Sequence, residues 1–210
     1  MNATSQQDPA GSPTVFIVDD DPAMRESLTF LVSSVGLRVE SFPSALEFLD
    51  SYEPSSDGCL VLDIRMPGMS GLELQERLRE RRIDMPIVMI TGFGDVPMAV
   101  RALKRGAVDF LEKPFTDQDL LDRIHEAIEE DRLRRRERRR RDDIDGRIAR
   151  LTSRERQVMK CVVEGKSNKI IAQQLGLSPK TIEVHRARMM DKMKAASLAE
   201  LLALLQAHTV

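Results

Sequence analysis

The sequence predicts two domains of different class. The first is α/β, a doubly wound five-stranded parallel sheet over residues 14–131, and the second an all-α four-helix helix-turn-helix domain over residues 148–210. Three observations predict it. Between residue 14 and about 131 short apolar runs alternate with amphipathic stretches, and repeated strand–helix alternation implies a parallel sheet with helices on both faces. After Leu151 only helical periodicity remains. The charge also breaks there: residues 1–131 carry 12 Lys+Arg against 25 Asp+Glu, net −13, whereas residues 132–210 carry 20 against 9, net +11. The overall −2 conceals an acidic half joined to a basic half, and a basic half suits a polyanionic partner.

The elements follow in order. Met1–Pro13 has neither a basic start nor an apolar stretch, so it reads as a disordered tail rather than a signal peptide. Strands are expected near 14–18, 37–41, 58–62, 86–90 and 108–111, with helices near 22–35, 44–51, 71–82, 95–105 and 117–131. Ser70-Gly71-Leu72-Glu73 has the spacing of a capping box, in which Ser and Glu satisfy each other's orphan N–H groups. Gly36 and Gly106 stand where helices should stop. Cys59 and Cys161 sit in separate apolar runs and read as core fillers, as in a reducing cytosol. No segment approaches the ~18 apolar residues of a membrane span, so no membrane partner is expected.

Residues 132–147 form a charged, Arg-rich linker, with eight arginines between Arg132 and Arg141. No face is apolar enough to pack. The segment could extend the preceding helix or be flexible, and its arginines could touch phosphates or merely keep a spacer solvated. Beyond it, Thr152-Ser153-Arg154-Glu155 is a second capping box, opening a helix that stops near Gly165. Ser167 caps a helix to about Leu175, Gly176 turns the chain, and Ser178-Pro179 starts a helix to about Met193, because Pro is favoured at the first helical position. Ser197 begins the last helix. Helix, tight turn and second helix over residues 167–186 are the spacing of a helix-turn-helix, whose second helix can enter the major groove.

Four of the strands end in chemistry. Val15-Phe16-Ile17-Val18 runs into Asp19-Asp20-Asp21, Cys59-Leu60-Val61-Leu62 into Asp63, Ile87-Val88-Met89-Ile90 into Thr91, and Val108 to Glu112 into Lys113-Pro114. In a parallel sheet these groups converge on one edge, where open α/β sheets bind ligands. Crowded carboxylates at the edge of a core repel one another and are tolerated when a cation shares the site. Phosphoryl transfer to a carboxylate needs an in-line nucleophile, a divalent cation and further donors. Asp63, standing apart from other acids after the middle strand, is the expected nucleophile. Asp19 and Asp20 are hard oxygen ligands suited to Mg²⁺, Thr91 can donate to a phosphoryl oxygen and Lys113 can neutralise one. The Lys113-Pro114 bond admits the cis form.

Val18-Asp19-Asp20, Leu62-Asp63-Ile64-Arg65-Met66-Pro67-Gly68, Met89-Ile90-Thr91-Gly92 and Lys113-Pro114-Phe115 resemble the receiver domain of two-component response regulators. The resemblance implies that a sensor histidine kinase phosphorylates Asp63. It also implies a Mg²⁺ site of Asp20, Asp63 and the Arg65 backbone carbonyl, with Asp19 acting through water. Its switch pair falls on Thr91 and Phe110, although read alone Phe110 could be ordinary core. Gly92-Phe93-Gly94-Asp95-Val96-Pro97-Met98 looks like the FixJ branch, with Phe93 where that branch carries His.

On the second helix of the hairpin, Lys and Arg can seek phosphates, Glu can accept from cytosine, and Val or Ala can touch a thymine methyl. Ile182, Met189 and Met193 fall on the opposite stripe and read as core, while His185 could pack or reach DNA. The strings Leu151-Thr152-Ser153-Arg154-Glu155-Arg156, Gly165-Lys166-Ser167-Asn168-Lys169-Ile170-Ile171-Ala172 and Leu177-Ser178-Pro179-Lys180-Thr181-Ile182-Glu183-Val184-His185 are similar to the LuxR-type DNA-binding domain. That likeness implies recognition positions at Lys180, Thr181, Glu183, Val184, Arg186 and Arg188, a backbone contact at Lys169, and a structural acid–base pairing through Glu155.

Together these readings make the chain a phosphorylation-switched, cytoplasmic transcription regulator of the FixJ/NarL type, not an enzyme. Its expected partners are a sensor histidine kinase, double-stranded promoter DNA, a second copy of itself on phosphorylation, and RNA polymerase. An aspartyl-phosphate phosphatase would share the carboxylates but needs an acid-rich nucleophile loop and a substrate-enclosing cap, and the sequence has neither. An RNA-binding antiterminator is disfavoured by the pattern of the second hairpin helix.

Overall fold

A computed structural model describes residues 13–53, 58–92, 100, 104 and 106–209. The five strands are β1 (Thr14–Val18), β2 (Arg38–Phe42), β3 (Gly58–Asp63), β4 (Ile87–Thr91) and β5 (Asp109–Glu112). They pair in parallel in the order β2-β1-β3-β4-β5. The helices whose bounds lie among the described residues are α1 (Pro22–Ser34), α2 (Ala45–Ser51), α3 (Gly71–Glu80), α4 (Asp117–Ala149), α5 (Ser153–Val163), α6 (Asn168–Leu175), α7 (Pro179–Met193) and α8 (Leu198–Thr209). Several strands are offset by one residue from expectation. The expected helix near 95–105 lies almost wholly outside the described residues, although Val100 and Lys104 within it are helical. The N-terminal tail lies outside them too.

The chain divides into two compact units, Met1–Arg134 and Arg135–Val210. In the first, the central strands β1, β3 and β4 are buried along their whole length, so they read as unbroken apolar runs rather than alternating ones. Alternate residues still point to opposite faces. Phe16, Val18, Leu60, Leu62 and Met89 pack with Phe48 of α2 and with Leu74 and Leu78 of α3. Val15, Ile17, Cys59, Val61, Val88 and Ile90 face Leu28 and Val32 of α1 and Leu120 and Ile124 of α4. Burial beside Asp131 pushes the Cys59 thiol up to about 12, which keeps it protonated and inert. Both cysteines are free.

Two glycines are demanded by close approach. A Cβ on Gly58 would stand 1.8 Å from the Thr14 carbonyl oxygen, and φ there is +148°. A Cβ on Gly71 would stand 2.3 Å from the Asp63 carbonyl oxygen and 3.1 Å from Ile64 Cα. The N–H of Gly58 donates to the buried Asp131 carboxylate of α4 at 3.0 Å, fixing that helix to the lower edge of the sheet.

The Arg-rich segment 132–147 is helical, in continuation of the helix expected to end near 131. Charge alone carries no period that separates rod from coil, which is why the sequence left both open. In the second unit Leu151, Val158, Val162, Ile171, Ile182, Met189, Met193 and Leu201 form one core. Gly176 takes a left-handed conformation, φ +65°, and turns α6 into α7, while Ser178 caps α7 by accepting the Thr181 N–H at 3.1 Å.

Candidate functional site

The sheet order reverses direction between β1 and β3, so the loops after these strands diverge and open a crevice between their C-terminal ends. Asp19 leaves β1 and Asp63 ends β3 at this crevice, 2% and 7% exposed. Register delivers the remaining groups. Thr91 pairs with Glu112, and the Lys113 N–H donates to the Thr91 carbonyl at 2.8 Å, which sets Lys113 beside the crevice. Its ammonium donates to Asp63 Oδ1 at 2.8 Å and to Asp19 Oδ2 at 3.1 Å. The Lys113–Pro114 bond is cis.

Asp63 is held on both oxygens, since Oδ2 accepts the Arg65 N–H at 2.7 Å. Burial raises its pKa from the ordinary carboxylate value, and the neighbouring Asp19 charge adds to this, against the hydrogen bonds from Lys113 and Arg65. Burial works against the Lys113 ammonium, but its bonds to Asp63 and Asp19 outweigh that and raise its value. One cation between two crowded acids is the arrangement that makes such a site tolerable.

Asp19 Oδ1 also accepts the Asp21 N–H at 2.9 Å, and Asp21 in turn caps α1 through the Ala23 N–H at 2.9 Å. Asp20, between them, is exposed to solvent. Arg25 donates from Nη1 to the Asp19 carbonyl at 2.7 Å, a clamp on the crevice that no local sequence signal announces. The Thr91 hydroxyl is buried and donates to the Gly92 carbonyl at 3.3 Å. Phe110, half-buried, packs against the core beneath α2 and α3. Among the described residues no three acidic, His or Cys side chains gather into a metal cage. The donors at the crevice are hard carboxylate oxygens, which fits Mg²⁺, an ion that takes one or two carboxylates and keeps its waters, better than a transition metal.

In the second unit the outer face of α7 presents Lys180, Glu183, Val184, Ala187 and Arg188 to solvent, while Ile182, Met189 and Met193 are buried, as the stripe required. Thr181 is partly covered, its hydroxyl 2.8 Å from that of Ser178. Arg186 is partly covered as well, donating to Asn168 Oδ1 at 3.1 Å and so tying α7 to α6. His185 is half-buried, and Lys169 on α6 is exposed. Glu155 completes its capping box with Thr152 and accepts from Lys192 Nζ at 2.6 Å. That ion pair, with the Thr152 N–H, holds the Glu155 carboxyl below its ordinary value. The partner Lys192, 37 residues on, was not legible from spacing.

A charged crevice at a switch point, on the same chain as a basic helix-turn-helix, places the protein in the class of signal-responsive DNA-binding regulators. Comparison with known proteins makes this particular. Residues 15–125 match the response regulator receiver domain, and residues 149–205 match the bacterial regulatory proteins of the luxR family. The transcriptional regulatory protein FixJ of Azorhizobium caulinodans is 50% identical over 187 residues, covering 89% of each chain. Nodulation protein W of Bradyrhizobium diazoefficiens is 50% identical over 90% of this chain and 83% of its own. The solved structure of the response regulator StyR superposes with a TM-score of 0.88 at 47% identity, covering 93% of this chain and 99% of that one. The chain belongs to the response regulators that join a receiver to a LuxR-type DNA-binding domain, and it is a phosphorylation-dependent transcription regulator of a two-component system. Among the described residues no helix is long and apolar enough to cross a membrane.

Proposed function

We propose that Asp63 is the phosphoacceptor, and that its phosphorylation by a sensor histidine kinase governs binding of the second unit to double-stranded promoter DNA. The observation that carries this reading is the two-sided hold on the Asp63 carboxylate, Lys113 Nζ on one oxygen and the Arg65 N–H on the other. An oxygen of the ionised carboxylate attacks the phosphorus, forming an O–P bond as the P–N bond of the kinase phosphohistidine breaks and the imidazole leaves with that electron pair. Lys113 neutralises charge on the transferred group and the Thr91 hydroxyl turns from the Gly92 carbonyl to donate to it. Asp19, Asp20, Asp63 and the Arg65 carbonyl are the residues that would hold Mg²⁺. That ion, when bound, supplies charge stabilisation for the phosphoryl oxygens.

In this proposal the movement of Thr91 leaves space into which Phe110 repacks, so a local charge biases a two-state element. The altered face around β5 then favours a homodimer, whose paired α7 helices reach successive major grooves, or frees the DNA-binding unit. RNA polymerase is the further contact expected of such a regulator. The chain acts in the cytoplasm and turns over no substrate of its own. The test is duplex affinity with and without acetyl phosphate and Mg²⁺. Coupling of about 1–3 kcal/mol corresponds to roughly 5–150-fold tighter operator binding by the phosphorylated protein. Equal affinity of both forms would remove the switch from the proposal.

The assignment of α7 makes its own prediction. Arg188→Ala should weaken binding to every duplex alike and lower the salt slope by about 0.9, as loss of one phosphate contact does. Glu183→Ala and Val184→Ala should change base preference at one or two positions instead. Binding-site selection that returns the parent's preferred sequence for Glu183→Ala would take Glu183 out of the reading set. Arg186→Ala is the less clean probe, because it also cuts the tie to Asn168.

A further inference from the structure

We propose that the Arg-rich end of α4 is a second, sequence-independent DNA contact, gripping the duplex backbone beside the site read by α7. The inference rests on the reading of the second unit as a duplex-DNA binder. Residues 135–149 of α4 belong to that unit, and their C-terminal end is tied to its core, where Ile148 packs on the buried cluster. Arg147 Nη1 donates to the carbonyl of Met193 at 2.9 Å, so the arginine caps the open C-terminal end of α7. Its Nη2 donates to Asp143 Oδ2 at 2.6 Å, which neutralises that acid.

These contacts fix the rotation of α4. Residues three and four apart lie on one stripe of a helix, so Arg136, Arg140, Asp143 and Arg147 share a face. Since Arg147 faces α7, Arg140 and Arg136 run along that same side, about 10 and 16 Å further up the helix at 1.5 Å per residue. Arg136 and Arg140 are exposed and make no ion pair among the described residues. Arg136 and Arg140 stand one turn apart with like charge, a spacing that destabilises an isolated helix. A rigid, repulsive row of guanidinium groups pinned to a recognition helix fits a row of phosphates. It needs no base, so it adds grip rather than readout.

The experiment uses the full chain and a random-sequence duplex, titrated across salt concentration. Changing Arg136 and Arg140 together to Gln should reduce the salt slope by about 1.8, at about 0.9 per lost phosphate contact, and leave the selected base preference as in the parent. The same two positions changed to Lys should retain most of the slope, which separates charge from helix structure. An unchanged slope in the Gln variant overturns the proposal, and so does an equal loss in the Lys variant. Tighter duplex binding by the Gln variant also overturns it, since it would mean that the arginines screen acids of this chain. Loss confined to single-stranded RNA or to anionic lipid vesicles overturns the assignment to DNA. Arg188→Ala run beside it keeps the two readings apart: if its slope falls while that of the Gln variant holds, only the inference about α4 fails.

Discussion

Asp63→Asn is expected to abolish phosphorylation of the chain by acetyl phosphate and Mg²⁺. An amide nitrogen is no nucleophile toward phosphorus, and the amide cannot accept charge-assisted bonds from both Lys113 and the Arg65 N–H as the carboxylate does. The parent should gain one phosphoryl group, acid-stable and alkali-labile as an acyl phosphate is. Asp20→Ala should slow labelling greatly without removing the nucleophile, because Asp20 is exposed and touches neither Lys113 nor the Asp63 carboxylate. Lys113→Ala should separate labelling from DNA affinity. The cation that bridges Asp19 and Asp63 would be gone, and the phosphoryl group would lose its link to β5. Because burial raises the Asp63 value, labelling should fall on acidification at a higher pH than for a free carboxylate. Mass spectrometry that finds the phosphoryl group on a Ser or Thr, or full labelling of Asp63→Asn, would sink the assignment.

How far the sequence reaches depends on the range of each interaction. The strands were legible because a strand buried on both faces is an apolar run, and because its terminal acid, hydroxyl or ammonium is a local departure from that run. The capping boxes at Ser70 and Thr152 were legible for the same reason, both partners lying within one turn. What escaped were partners far apart in the chain. Arg147 reaches the Met193 carbonyl across 46 residues, and Asp131 reaches the Gly58 N–H across 73. Spacing holds no trace of either. The α4 extension was left open beside a flexible linker for a different cause: arginine is a good helix former, but eight arginines in ten residues repel, and propensity and repulsion pull opposite ways. Docking of Ile148 on the second core, with Arg147 held on the Met193 carbonyl, tips that balance toward helix, and docking is a tertiary fact.

Gly71→Ala carries the largest expected cost of any single methyl group near the crevice. Gly71 opens α3, its N–H donating to the Ile64 carbonyl at 3.0 Å, and the turn passes so close to β3 that a Cβ would stand 2.3 Å from the Asp63 carbonyl oxygen. The obstacle is backbone, so no side chain can swing aside to relieve it. Either α3 lifts away from Leu62 and the core beneath it, or the end of β3 shifts and takes the Asp63 carboxylate with it. Overpacking of this kind costs about 2–3 kcal/mol. The chain has no Trp and one tyrosine, Tyr52, which packs edge-on against Phe16 at 5.5 Å within the first unit. Tyrosine fluorescence during urea unfolding therefore follows that unit alone, and its midpoint should fall clearly below the parent's at unchanged slope. At denaturant concentrations where the variant remains folded, labelling of Asp63 should be slower than in the parent, since the Arg65 N–H and Lys113 would no longer meet the carboxylate as they do at 2.7 and 2.8 Å. A variant that matches the parent in both midpoint and labelling rate would mean that α3 and β3 can separate freely, and that the tight turn does not position the acceptor.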